Sequence, residues 1–297
     1  MRYLAFGLTL ETAINFDGVL QPSTASPDLF ITEGVVPEKA GQLTRLQRRG
    51  IRARFGRAET GIILQWEGVG TFNMLGGDRI IYQNLGADES TLRLFLLSEV
   101  IGISLYQRGL FLLHASAVMV NNEAFVFMGV PGAGKSTTAT AFGKAGHTVL
   151  SDDLVAIQFL ASKPHVVPAF SQYKVWKNAL DGLRIDSFSL TPSFEGADKF
   201  LITQPVDTFP QECVPVRQVT VLYSPAARIR QGPIKPLRAP VELLRHFPLP
   251  VQLLASGYLQ QHFQQSLQIA QSTPIQRLKR PGDFMALEDF VRSKSSL

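Results

Sequence analysis

Gly129-Val130-Pro131-Gly132-Ala133-Gly134-Lys135-Ser136-Thr137 is the stretch on which the fold turns. It fits G-x-x-x-x-G-K-[ST], a pattern that needs a strand before it and a helix after it. Both are expected: an apolar run, Ala124 to Met128, precedes the loop, and a helix-compatible run, Thr137 to Lys144, follows. In that setting successive backbone N–H groups and a helix N-terminus converge on a polyphosphate. Gly129, Gly132 and Gly134 clear side chains where the backbone approaches phosphate oxygens or takes positive φ, and Pro131 and Ala133 are expected to bind nucleotide with them. Lys135 is placed to reach the β- and γ-phosphates, and the Ser136 hydroxyl can hold Mg²⁺. Thr137 is either a further phosphate contact or a first-turn residue serving the helix backbone. The pattern predicts binding of a nucleoside triphosphate with Mg²⁺, but does not name the reaction.

A second feature narrows it. Gly146-His147-Thr148-Val149-Leu150-Ser151-Asp152-Asp153 is a short apolar strand ending in two carboxylates, directly after the loop helix. Neighbouring residues on a strand point to opposite faces, yet a bend at its end lets both turn to the phosphates. Phosphoryl transfer to a hydroxyl uses one carboxylate for the metal and a second group for the hydroxyl proton. Asp152 and Asp153 can supply one of each. Upstream, Leu112–Val120 and Glu123–Met128 read as a hairpin around Asn121-Asn122, which sets His114 beside Met128 to Val130. His165, His246 and His262 read as structural or surface residues, and no Cys/His spacing indicates zinc.

Leu113-His114-Ala115-Ser116-Ala117-Val118, the loop from Gly129 to Thr137 and the segment Gly146 to Asp153 together resemble the HPr kinase/phosphorylase family and its relatives. Among these the kinases of lasso-peptide precursors are the nearest in type. The likeness covers residues 106–205, with a weaker echo from Pro274 to Phe290. It implies an α/β, P-loop nucleotide-binding fold of the PEP-carboxykinase/HPr-kinase-like type with a mixed sheet, which follows a β-rich N-terminal region read from the residues alone. It implies transfer of a phosphoryl group from ATP to a serine hydroxyl of a peptide or small protein. On that resemblance Lys135 and Ser136 hold phosphate and Mg²⁺, Asp152 is the general base and Asp153 the metal-side carboxylate, or the pair is reversed. His114 stands beside the transferred phosphate or the acceptor. The family's glycine- and arginine-rich loop near the C-terminus has no counterpart beyond Arg280-Pro281-Gly282, so HPr itself is not the expected acceptor. A small-metabolite kinase, a nucleotide-gated regulatory or binding protein and an acceptor-independent ATPase are the alternatives.

The rest of the chain bounds this reading. Its 297 residues, 45% hydrophobic and 18% charged, describe a globular protein of one or two domains. One cysteine, Cys213, cannot pair within the chain. The N-terminus reads as a strand rather than a signal peptide, and Leu92 to Leu105 is too interrupted for a membrane span, so a cytoplasmic location is expected. The net charge of +5 gathers at Lys39, Arg45, Arg48, Arg49, Arg52, Arg54 and Arg57. A solvated face or docking of an acidic peptide accounts for this cluster better than nucleic acid does, since no aromatic interleaving accompanies it. No membrane partner is expected, and an oligomer is left open.

Two regions are expected: residues 1–88, β-rich, and residues 89–297, the kinase domain. Strands are predicted at Arg2–Leu10, Asp28–Val35, Ile51–Phe55, Gly61–Trp66 and Arg79–Gln83, and a helix at Glu38–Arg49. Asp88-Glu89-Ser90 opens a buried helix running to about Tyr106. Pro215–Tyr223 and Pro274–Lys279 read as strands, Val251–Gln271 and Asp283–Ser293 as helices, and Pro225–Pro250 as loop. Lys174, Lys177 and Lys199 are candidate phosphate or acceptor contacts.

Overall fold

Runs of apolar and β-branched residues cut by turns build the first of two units, Met1–Leu110 and Phe111–Leu297. The computed structural model describes residues 1–36, 44–48, 51–58, 61–186, 190–193, 198–255 and 257–295, with backbone alone at 44–48 and 51. In the first unit nine strands form one sheet, in the order Gln21–Pro22, Arg2–Ala5, Leu8–Thr12, Leu29–Glu33, Arg79–Asn84, Gly70–Leu75, Ile62–Trp66, Ile51–Arg57 and Thr44–Arg48. The expected single strand Arg2–Leu10 is instead a hairpin. Phe6 and Gly7 take φ of 51° and 67°, and Ala5 pairs with Leu8. Two consecutive left-handed residues match the twist of a tight hairpin, so the chain turns back where hydrophobicity alone continues.

The helix expected over Glu38–Arg49 is corrected at Thr44–Arg48, which is an edge strand paired antiparallel with Ile51–Arg57. Ile51–Arg57 alternates Ala53 and Phe55, both buried, with exposed Arg52, Arg54 and Arg57. That alternation fixes a strand, and its neighbour is recruited by the open edge rather than by its own pattern. Of the basic cluster, Lys39 and Arg49 lie outside the described residues. Helical turns run from Glu89 to Gln107, capped by Asp88, whose side chain accepts from Thr91 N. A wide turn at Leu96–Val100 interrupts them, where Ser98 leaves helical angles and donates to the carbonyls of Leu94 and Phe95. Phe95 packs edge-on against Trp66 at 4.8 Å between ring centroids.

The second unit is mixed α/β around a mixed sheet. Glu123–Met128 runs parallel to Val214–Tyr223, which runs parallel to Ile275–Lys279, while Ala115–Val120 and Thr148–Ser151 extend the sheet antiparallel. Successive residues of Ala124–Met128 face opposite sides, and both sides are covered. Ala124, Val126 and Met128 join a core with Leu243 and Ile269, whereas Phe125 and Phe127 join another with Ala139, Phe142, Leu287 and Val291. Burial on both faces explains why this segment is continuously apolar instead of alternating.

The expected strand Leu112–Val120 is broken at His114. Phe111–Leu113 pairs with Val155–Ile157, whereas Ala115–Val120 pairs with Glu123–Met128. The Asn121-Asn122 turn forms as expected, with φ of 50° and 60°. The long helix begins at Gly257 rather than Val251, after a short 3-10 turn, and Ala239–Leu244 is helical within the proline-rich stretch. Pro240 occupies that helix's first turn, where a missing N–H costs nothing. No helix among the described residues is long and apolar enough to cross a membrane.

Candidate active site

The strand Glu123–Met128 ends at Gly129, and the helix Lys135–Lys144 begins six residues later, so Val130 to Gly134 forms the connecting loop. Gly129 is confined by close approach: a Cβ there would lie 2.6 Å from the Leu222 carbonyl oxygen and 2.9 Å from Ala133 Cβ. Gly134, the residue before the helix, has φ of 99°. A Cβ there would also sit 2.2 Å from Arg280 Cδ. Side chains are thus excluded at Gly134 by backbone angle and by a neighbour. Lys135 is only 6% exposed and donates to the Gly129 carbonyl at 2.9 Å, closing the loop on itself. Burial lowers its pKa, while Asp153 and then Asp152 oppose that shift. Pro131 and Gly132 are exposed, Ala133 is buried, and Thr137 is half-buried in the first helical turn.

Thr148–Ser151 delivers the two carboxylates beside this loop. Asp153 has φ of 67°, and Leu154 N donates to Asp152 O at 2.9 Å across it, a three-residue turn. The Ser151 hydroxyl, bonded to the Leu154 carbonyl, ties the same turn. The bend sends the two side chains to different surroundings. Asp152 is enclosed: its Oδ1 accepts from Ser116 Oγ at 2.5 Å and from Ser136 Oγ at 3.0 Å. Its Oδ2 is buried without a hydrogen-bond partner. Burial, and then the Asp153 charge, push the Asp152 pKa up to about 7, against the two serine hydroxyls and Lys174. Asp153 is 39% exposed along its side chain, with Lys174 Nζ at 3.7 Å from its carboxylate.

His114 sits where its strand breaks. Ala115 pairs with Met128, which brings His114 level with the start of the loop. Its backbone N donates to His246 O at 2.6 Å, and its Nδ1 is 3.0 Å from Asp153 O. Burial lowers the His246 pKa, and the charges of Lys135 and His114 both reach it. Of the three candidate lysines, Lys174 alone meets the carboxylates. Lys177 is exposed at a helix start, and Lys199 lies over the Trp176 ring at 4.5 Å.

The structure therefore brings together Gly129 to Ser136, Asp152, Asp153, His114 and Lys174. It adds three residues to which the sequence reading gave no role: Ser116, His246 and Arg280. Ser116 had a legible signal, since it stands two residues after His114 in the same motif, Leu113-His114-Ala115-Ser116-Ala117-Val118. His246 and Arg280 are distant in the chain and carry no pattern of their own.

Among the described residues no group of three His, Cys, Asp or Glu is placed to hold a metal. The donor set that is present, a serine hydroxyl and a carboxylate with an unpartnered oxygen, fits Mg²⁺, which takes hard oxygen ligands and usually one or two protein groups beside phosphates.

No protein-family model matches the chain, and no curated protein matches it significantly. A solved structure, the Hpr(Ser) kinase/phosphatase from Coxiella burnetii, is similar at 12% identity and a TM-score of 0.33, over 62% of this chain and 95% of that one. A likeness of that size leaves the function to be read from the residues themselves.

Proposed function

We propose that this protein is an HPr-kinase-like P-loop enzyme that transfers a phosphoryl group from ATP to a serine hydroxyl of a peptide or small protein. The convergence of Ser136, the hydroxyl of the glycine loop, with the buried carboxylate of Asp152 carries this reading. A loop that gathers N–H groups and a lysine needs a polyanion, and a hydroxyl–carboxylate pair beside it needs a hard cation. Phosphoryl transfer uses both at one place.

The contacts favour one assignment of the two carboxylates. Asp152 touches Ser136 and is enclosed, so it is the metal-side group. Asp153 is accessible, so it is the proton acceptor, the reverse of the first-named assignment from the family resemblance. Mg²⁺, when bound, neutralises and polarises the phosphate oxygens. Lys135 and the loop backbone hold the phosphate chain. Lys174 pairs with Asp153 and orients it toward the acceptor, and His114 steadies the Asp153 turn through its carbonyl. The serine oxygen forms the new P–O bond as the bond to the ADP oxygen breaks, and its proton passes to Asp153. Positioning and charge stabilisation supply most of the rate.

A peptide acceptor is favoured by the sheet face that continues from Lys174. Gln172–Trp176 pairs with Lys199–Thr203, setting Lys174 opposite Leu201 and Trp176 opposite Lys199. Trp176 is 48% exposed, and the alternate residues Tyr173 and Val175 are buried beneath. An aromatic and two lysines on one strip suit an extended chain with acidic flanks.

Labelled ATP, Mg²⁺ and a serine-containing peptide library test the reading, with phosphoserine expected. Label in a small metabolite would assign the acceptor to another class. Phosphate release without an acceptor would mark an ATPase, and bound, intact ATP a regulatory module.

A further inference from the structure

Arg280 reaches the glycine loop from a distant part of the chain. It follows the strand Ile275–Lys279, whose carboxyl end lies on the same side of the sheet as those of Val214–Tyr223 and Glu123–Met128. Ligands of open α/β sheets gather outside such carboxyl ends. Its backbone N donates to Tyr223 O at 2.8 Å, which anchors the residue at the strand terminus. From there its side chain crosses the face of Gly134. The Cβ that Gly134 lacks would lie 2.2 Å from Arg280 Cδ, 2.7 Å from Nε and 3.5 Å from Cγ.

The head of this side chain is under-satisfied. Nε is buried with no hydrogen-bond partner, and no ion pair involves Arg280 among the described residues. Three positions earlier on the same chain, Arg277 has Glu242 at 3.5 Å. Burying part of a guanidinium without an acceptor is costly, and an arriving anion offsets that cost. The neighbour across Gly134 is Lys135, itself a buried cation with only a carbonyl to donate to. Two cations therefore flank one glycine with no carboxylate bonded to either.

Resting on the reading of the loop as a nucleotide site, we propose that Arg280 is a second phosphate-binding cation, contacting the phosphate chain of the bound nucleotide from the side opposite the metal pair. Its planar fork can give two parallel N–H donors to phosphate oxygens, which the single ammonium of Lys135 cannot do. Gly134 is then required for a further reason, because any side chain there would push the guanidinium off the loop.

Calorimetric titration of the full chain with ATP and with inorganic tripolyphosphate, both with Mg²⁺, tests this. Arg280→Gln keeps the stem over Gly134 and removes the charge. It is expected to weaken both ligands by about tenfold or more, as for loss of a charge-assisted hydrogen bond, without lowering the unfolding temperature of the ligand-free chain. Arg280→Lys should recover part of that loss. If the wild type binds both and Arg280→Gln binds them equally well, Arg280 is no phosphate ligand, although the loop reading stands. A loss confined to ATP, with tripolyphosphate unaffected, also overturns the proposal, because the contact would then lie away from the phosphates. If the wild type binds neither, the loop reading fails and this proposal with it.

Discussion

Lys135 and Asp152 are two buried ionisable groups held by opposite means. Lys135 donates to a carbonyl of its own loop, and Asp152 accepts from two serine hydroxyls. Replacing Lys135 by Ala is expected to raise the barrier to transfer by about 3–4 kcal/mol, comparable to loss of one transition-state donor. Single-turnover kinetics would show it, and near-wild-type turnover would refute the scheme. For Asp152 the sign follows from its environment. Its folded pKa is raised from 3.8 to about 7, so between those values the folded state holds a proton that the unfolded chain releases. Its contribution to stability is complete below pH 4 and lost as pH rises to 7. Asp152→Asn should therefore stabilise the ligand-free protein more at pH 8 than at pH 4, by roughly 4 kcal/mol. Denaturant melts at the two pH values measure the difference, and an equal gain at both would show that the carboxylate is not held protonated by burial.

At the scale of elements, caps and turns decide where chains begin and reverse. The helical segment starting at Glu89 depends on Asp88, which accepts from the Thr91 amide at 2.8 Å and from the Thr91 hydroxyl at 3.0 Å. The Ser90 hydroxyl, which donates to the same carboxylate at 2.5 Å, and then those two bonds lower its pKa to about 2. Asp88→Ala should cost about 1 kcal/mol at neutral pH, the usual worth of such a cap. The difference from wild type should shrink as pH falls from about 4 toward 2, where the aspartate protonates in both states. A urea titration series would reveal a pH-independent loss if the cap is not the cause. The turn at Asp153 is the other element of consequence. A left-handed aspartate bends the strand end and sends two adjacent carboxylates into unlike surroundings, one enclosed and one exposed beside Lys174. Backbone of this kind is uncommon outside glycine and is retained where a site depends on it.

For the whole molecule the expectation concerns linkage. Any ligand that binds only the folded chain stabilises it, by about 2.7 kcal/mol at a hundred times its Kd. ATP with Mg²⁺ should therefore raise the unfolding temperature of the unit that begins at Phe111 and slow amide exchange at residues 129–137 and 151–153. Unchanged exchange at these segments under saturating nucleotide would place binding elsewhere.

Much of the second unit was legible beforehand, for reasons of local physics. The glycine spacing and the continuous apolar run identified strand, loop and helix, and two asparagines identified the hairpin that brings His114 to the loop. The edge strand Thr44–Arg48 was not legible, because it owes its conformation to a partner across the sheet and not to its own alternation. The hairpin at Phe6-Gly7 was missed where apolar residues run unbroken through a turn.

The sequence by itself determined a loop able to hold a polyanion and two carboxylates close behind it, because backbone angles and residue spacing act over a few neighbours. Only the tertiary structure decided that Asp152 is the one bonded to Ser136, that Ser116 shares it, and that Arg280 lies across Gly134. Those meetings are set by strand register and by packing between distant segments, whose individual contributions are small and whose sum no local stretch of the chain contains.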